Sequence, residues 1–159
     1  WNHLHDQGML SFANSIPDLQ HRYPQHHDEI AAWQERWPEM LGGAIDRTVS
    51  VLEDLKKRKK VRLFALTNWS AETWPHALER FGFLDHFDGI LVSGQEKLAK
   101  PDPRIFDLAI SRFKLDPRET LFIDDNERNI QQARELSFIT HWFSDPVKLQ
   151  RELIEYGLY

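Results

Sequence analysis

Residues 121–126 read LFIDDN. Thr120 and the three apolar residues after it predict a short buried strand, which ends in two adjacent carboxylates, Asp124 and Asp125. Like charges side by side repel, and burying them costs several kcal/mol unless positive charge compensates. A divalent cation or a pair of basic side chains supplies that compensation. A hard cation such as Mg²⁺ takes one or two carboxylates and leaves its other positions to water or phosphate oxygens. Open α/β sheets hold their ligands at the carboxyl ends of their strands. LFIDDN therefore calls for a parallel sheet whose other strands deliver the compensating groups to the same edge.

The chain supplies such a sheet from about Asp46 onward. Short apolar runs at 61–66, 89–92, 120–123 and 139–143 are rich in β-branched and aromatic residues, as in strands buried on both faces. Helical patterns fill the gaps at 48–59, 71–81, 103–113, 127–136 and 146–156. Ser70, Asp102-Pro103 and Asp145-Pro146 read as helix starts, and Gly82 as a helix stop. The expected fold is an α/β doubly wound parallel sheet with right-handed crossovers. Residues 1–41 read differently. Pro17 and Pro24 predict short helices there, 27–37 is the best helical stretch, and Gly42-Gly43 is a joint. The expected division is a partial helical cap at 1–43 and an α/β core at 44–159.

Three strands then deliver chemistry to one edge. The first ends in Thr67-Asn68, where a hydroxyl, backbone N–H groups and the following helix can cradle phosphate oxygens. The second is followed by a loop, 93–100, ending in Lys100-Pro101; the proline keeps Lys100 extended, and its ammonium becomes a fixed point charge. The third brings Asp124-Asp125. Singly, each has a commoner explanation: turn chemistry, a solvated loop lysine, a helix cap. Placed together after successive strands, they describe a phosphate and metal site.

Composition closes other routes. The net charge is −5, against nucleic acid or an anionic membrane as partner. There is no cysteine, so disulfides and thiolate metal sites are excluded, which fits a cytoplasmic chain. No apolar run approaches a membrane span of ~20 residues. His3, His5, His21, His26 and His27 crowd the first part without a metal-binding spacing, and are expected to be solvated. The basic run 56–60 ends a helix, where it complements the dipole.

Three stretches resemble motifs of the haloacid dehalogenase-like (HAD) superfamily, in its phosphatase branch with a helical cap. LTNWS, 66–70, is similar to the second motif. KLAKPDPRIF, 97–106, is similar to the third, with Lys100 matching its lysine, and LFIDDNERNI, 121–130, to the fourth. They stand in the family's order. The resemblance extends over the whole chain, with 1–41 similar to most of a cap and WNHLHDQG, 1–8, to a cap segment.

The family's first motif, Asp-x-Asp at the end of a central strand, does not occur at a suitable strand. The resemblance therefore implies a HAD protein lacking an N-terminal segment of on the order of 30–40 residues. The strands ending at Thr67 and Asp125 would then show unpaired edges.

In the mechanism that the resemblance implies, the absent aspartate forms an aspartyl-phosphate that water hydrolyses. Asp125 is a direct Mg²⁺ ligand, and Asp124 acts through water or Lys100. Thr67 and Asn68 hold the phosphoryl group, Lys100 binds phosphate and nucleophile, and Asn129 braces the acidic loop. Trp69 lines the substrate pocket or packs against core and cap. The expected substrate is a small phosphorylated metabolite, and these residues alone should show little or no activity. A 2-haloacid dehalogenase is a second reading, but it needs no metal and has hydroxyl and amide residues in place of the acids. A receiver-type phosphoacceptor has the acidic pair first in the chain, whereas here it comes last. A non-catalytic binding remnant is a further alternative.

Overall fold

The computed structural model describes all 159 residues. The N-terminal part is helical: α1 (Asn2–Asp6), α2 (Phe12–Arg22) and α3 (His27–Glu35), with single 3₁₀ turns after α2 and α3. After an extended joint come α4 (Asp46–Arg58), β1 (Phe64–Thr67), α5 (Trp74–Arg80), β2 (Gly89–Val92), α6 (Ser93–Glu96) and α7 (Pro103–Phe113). The chain ends with β3 (Leu121–Asp124), α8 (Glu127–Glu135), β4 (Ile139–Trp142) and α9 (Pro146–Glu155). No helix is long and apolar enough to cross a membrane.

The strands are parallel, as expected, but they form two separate pairs. β1 pairs with β2, Phe64 opposite Gly89 and Thr67 opposite Val92. β3 pairs with β4, Leu121 opposite Ile139 and Asp124 opposite Trp142. No backbone ladder joins β1 to β3. Side chains hold the two pairs together instead. Leu91 of β2 packs with Ile105, Phe106 and Ala109 of α7 and Ala133 of α8, against Leu66 and Phe122. Elsewhere Val51 and Leu55 of α4 meet Leu149 and Leu153 of α9 beside Leu63 and Leu121. Val92 points the opposite way from Leu91 and meets Trp74 and Ala77 of α5. β2 is thus covered on both faces, the doubly wound arrangement. β1 and β3 are not: β1 is half-buried throughout and Ile123 is exposed. This departs from the expected strands buried on both faces, and the unladdered β1–β3 gap is the physical reason.

Local signals held where a side chain satisfies nearby backbone. Asp102 accepts from the N–H of Arg104, Asn126 from that of Arg128, and Asp145 from those of Val147 and Lys148. They failed where tertiary contacts override. Pro17 lies inside α2, which continues through it because Phe12, Ser15 and Ile16 are buried on one face. Ser70 caps a turn at Glu72, not α5, which starts at Trp74 after Thr73. Gly82 opens a 3₁₀ turn. The expected loop at 93–100 begins as the short helix α6.

The N-terminal helices dock closely on the strand ends. Gly8 has a positive φ, and a Cβ there would lie 2.2 Å from the carbonyl oxygen of Gly94. Glu72 accepts from the N–H of Phe12 at 2.9 Å. His5 is buried beside it, 3.2 Å from Ser15 Oγ and stacked on Phe12. The expectation of solvated histidines fails here, because His5 fills the seam between α1 and α2. Burial holds its imidazole below the usual histidine range, partly offset by Glu72. A lowered folded-state value means that the unfolded chain binds the proton more readily. His5 therefore contributes stability above about pH 6.5, lost as pH falls from there toward the folded-state value. Denaturation midpoints should fall over that window, and His5→Gln should flatten the fall.

Candidate active site

Lys100 and Asp124 form the centre of the strand-edge cluster. Lys100 Nζ lies 2.6 Å from Asp124 Oδ2, and the two side chains are 9% and 6% exposed. The other oxygen of Asp124 accepts from the N–H of Asn126 and from Asn129 Nδ2, each at 2.9 Å. Three donors hold this carboxylate in one orientation at the start of α8. Lys100 itself is fixed by Asn68. The Asn68 amide donates to the Lys100 carbonyl at 2.8 Å and accepts from its N–H at 2.9 Å. The Lys100–Pro101 peptide is cis. The Lys100 ammonium also stands 5.6 Å from the Phe122 ring centre.

Asn68 thus links the end of β1 to Lys100, and Lys100 links to the end of β3. The sequence reading assigned Asn68 to a phosphoryl group; in the structure its side-chain amide is engaged by the Lys100 backbone. Thr67 ends β1 beside Val92. Trp69 is pinned by its backbone N–H to Ser93 Oγ at 2.8 Å and by its indole N–H to Thr73 at 3.0 Å. Its ring meets Trp37 edge-on at 5.8 Å and Trp74 at 5.7 Å, so it stands between the N-terminal helices and α5.

The two acids are not equivalent. Asp124 is buried and engaged, whereas Asp125 is exposed and its carbonyl accepts from Trp142 Nε1 at 3.0 Å. Hard carboxylate oxygens suit Mg²⁺, and the exposed one is the freer to bind it directly. No group of three or more His, Cys, Asp or Glu side chains is arranged to hold a metal ion. The acidic pair is thus less than an all-protein cage. It is compatible with Mg²⁺, which commonly takes one or two carboxylates and completes its shell with water and phosphate oxygens.

Ser93 and Gly94 were not read from the sequence. Ser93 is fully buried and donates to the carbonyl of Asp6, joining α1 to the end of β2. Burial pushes the Asp6 carboxyl above its ordinary range. A Cβ on Gly94 would lie 2.4 Å from the backbone nitrogen of Ala71. The signal was available: Ser-Gly directly follows a strand, as Thr67-Asn68 does.

Comparison with known proteins bears on this geometry. The profile of the haloacid dehalogenase-like hydrolases matches residues 9–136. A phosphoserine phosphatase of Thermus thermophilus is 33% identical over 79 residues, 49% of this chain and 32% of that protein. A D-ribitol-5-phosphate phosphatase of Bacteroides thetaiotaomicron is 34% identical over 143 residues, 85% of this chain and 67% of that protein. A HAD family enzyme of B. thetaiotaomicron, solved with magnesium and inorganic phosphate, superposes with a TM-score of 0.72 at 25% identity. That match covers 92% of this chain and 77% of the other. The chain therefore spans a minor part of the first relative's length and about two thirds of the second's.

Proposed function

Since the chain belongs to the haloacid dehalogenase-like hydrolases, we propose that its strand-edge cluster is part of a Mg²⁺-dependent phosphatase site for a small phosphorylated metabolite. The carrying observation is the buried Lys100–Asp124 pair, held by Asn68 on one side and Asn126 and Asn129 on the other. Phosphatase relatives and a structural neighbour holding magnesium and phosphate support this reading.

In this proposal Lys100 shares its ammonium between Asp124 and a phosphate oxygen. Thr67 donates its hydroxyl to a second oxygen at the end of β1. Asn68 positions Lys100, and Asn129 positions Asp124. Trp69 and Trp37 flank the approach and exclude water from one side. Asp125, and Asp124 through water, would hold Mg²⁺; the bound ion supplies charge neutralisation for a phosphate dianion. The reaction runs through an aspartyl-phosphate. The nucleophilic carboxylate is not among these side chains, since no Asp-x-Asp occurs in the sequence. A strand laid between β1 and β3, which no ladder joins, would deliver one beside Lys100. Residues 1–43 serve as part of a helical cap over a core of 44–159.

Calorimetric titration tests the metal assignment. Asp125→Asn should weaken Mg²⁺ binding by about tenfold or more, through loss of a charged hard ligand. Equal Mg²⁺ affinity in the variant would remove Asp125 from the metal site.

A further inference from the structure

The outer side of β4 carries a second polar site. A cavity of about 550 Å³ lies along this edge, between α8 and α9, in the size range of small-molecule pockets. Thr140 and Trp142 of β4 line it, with Arg134 of α8 on one side and Lys148 and Arg151 of α9 on the other. All three cations are exposed. Arg134 spends its Nε on Thr140 Oγ1 at 2.9 Å, which fixes its guanidinium and leaves the terminal nitrogens to a ligand. Lys148 donates to Ser144 at 3.1 Å and stands 3.7 Å from Asp145. Arg151 enters none of the chain's ion pairs.

Two further features point to a ligand. His141 also lines the cavity; its Nδ1 pairs with Glu152, and its buried Nε2 has no hydrogen-bond partner. An unpaired buried polar atom costs on the order of 1–3 kcal/mol. Because the Glu152 carboxylate only accepts, Nδ1 carries the proton and Nε2 is an acceptor, so a water or a ligand O–H that reaches it is favoured. The indole of Trp142 is 54% exposed on the same wall. Two carboxylates are present as well. Glu152 is turned to His141, and Glu155 is the remaining one. Asp145 faces Lys148 and Glu152 is turned to His141, which leaves Arg134 and Arg151 against Glu155 alone.

We propose that this cavity binds a small dianion, a phosphate monoester or a dicarboxylate, gripped by Arg134 and Arg151 and covered on one side by Trp142. Guanidinium forks match both oxyanions. A second copy of the chain is the less suitable occupant. Edge-to-edge pairing about a two-fold axis would set Arg134, Lys148 and Arg151 against themselves. The site lies outside the Lys100–Asp124 cluster and does not depend on the phosphatase reading. Trp142 joins the two, because its Nε1 donates to the Asp125 carbonyl.

The test follows the indole N–H resonance of Trp142, assigned with Trp142→Phe, in the ¹⁵N-labelled chain. Inorganic phosphate and succinate are titrated separately against chloride at equal ionic strength. The proposal expects a saturable shift with at least one dianion and none with chloride. The shift should persist in Thr67→Ala and be lost in Arg134→Gln/Arg151→Gln, which touches only exposed side chains. Phosphate alone acting identifies the ligand as a phosphate monoester, and succinate alone as a dicarboxylate. A shift that survives the double arginine change, disappears in Thr67→Ala, or is matched by chloride would overturn it. So would a shift that tracks protein concentration without added anion, which would mean that a second copy covers the edge.

Discussion

Lys100→Met is expected to destabilise the chain by about 3–5 kcal/mol, the cost of leaving one member of a buried ion pair without its partner. Both side chains are nearly inaccessible, at 9% and 6% exposure. Methionine keeps the length of the stem but leaves Asp124 buried with only its two neutral donors, Asn126 and Asn129. Stabilities of domains this size are typically 5–15 kcal/mol, so the loss is a large fraction of the whole. Adding Asp124→Asn removes the stranded charge while retaining an oxygen for those two donors. The double variant should therefore be more stable than Lys100→Met alone by more than about 1 kcal/mol. Denaturant midpoints check both values. If Lys100→Met does not fold, a folded double variant makes the same point by circular dichroism. A single-variant loss below about 1 kcal/mol would show the pair to be an ordinary surface contact.

A small phosphomonoester offered to these 159 residues with Mg²⁺ should be turned over at most about 10⁻⁴ times as fast as by a relative that carries the nucleophile. The groups proposed to bind and neutralise phosphate meet at the strand edge, but none is placed to attack phosphorus. Asp124 is held by Lys100, Asn126 and Asn129, and Asp125 sits at the start of α8. Loss of a covalent nucleophile typically costs about 10⁴–10⁶ in turnover, while binding groups retain a small residue of catalysis. Inorganic phosphate and Mg²⁺ should still bind, because the residues proposed as their ligands are present. A purified chain that turns over substrate as fast as a relative carrying the nucleophile would contradict the assignment, and phosphate trapped covalently on Asp125 would make that residue the reacting carboxylate.

Much of the core was legible because its signals are local. β2 is an apolar run opened by Gly89, and α7 is bracketed by Asp102-Pro103 at one end and the positive φ of Lys114 at the other. β1 was read three residues early. Leu63 gives its N–H to the Asp88 carboxylate and its carbonyl to the Asp88 N–H, so a partner 25 residues away sets where the ladder begins. Charge alone called only for a compensating cation; contact of Asp124 with Lys100, or with water, came from the family resemblance, and the structure has the direct pair. The use of Asn68 was not legible, because an amide at a strand end fits a phosphate oxygen as well as a backbone 32 residues distant. The Gly8–Gly94 approach and the burial of Ser93 arise only once the N-terminal helices are docked, and no short window of sequence contains both partners. The expected unpaired edges of β1 and β3 match the fold in this much: no ladder joins the two strands, β1 is half-buried and Ile123 is exposed.

The most direct test of the phosphatase account is to join to this chain an apolar strand ending in Asp-x-Asp, with a linker able to reach the β1–β3 gap, and to measure phosphomonoester hydrolysis with and without Mg²⁺. The account predicts turnover at least about 10³-fold above the unmodified chain, dependent on Mg²⁺ and abolished when the first Asp of the added strand is Asn. Turnover that is indifferent to that aspartate or to Mg²⁺, or a folded protein with the strand in place and no gain at all, would contradict it.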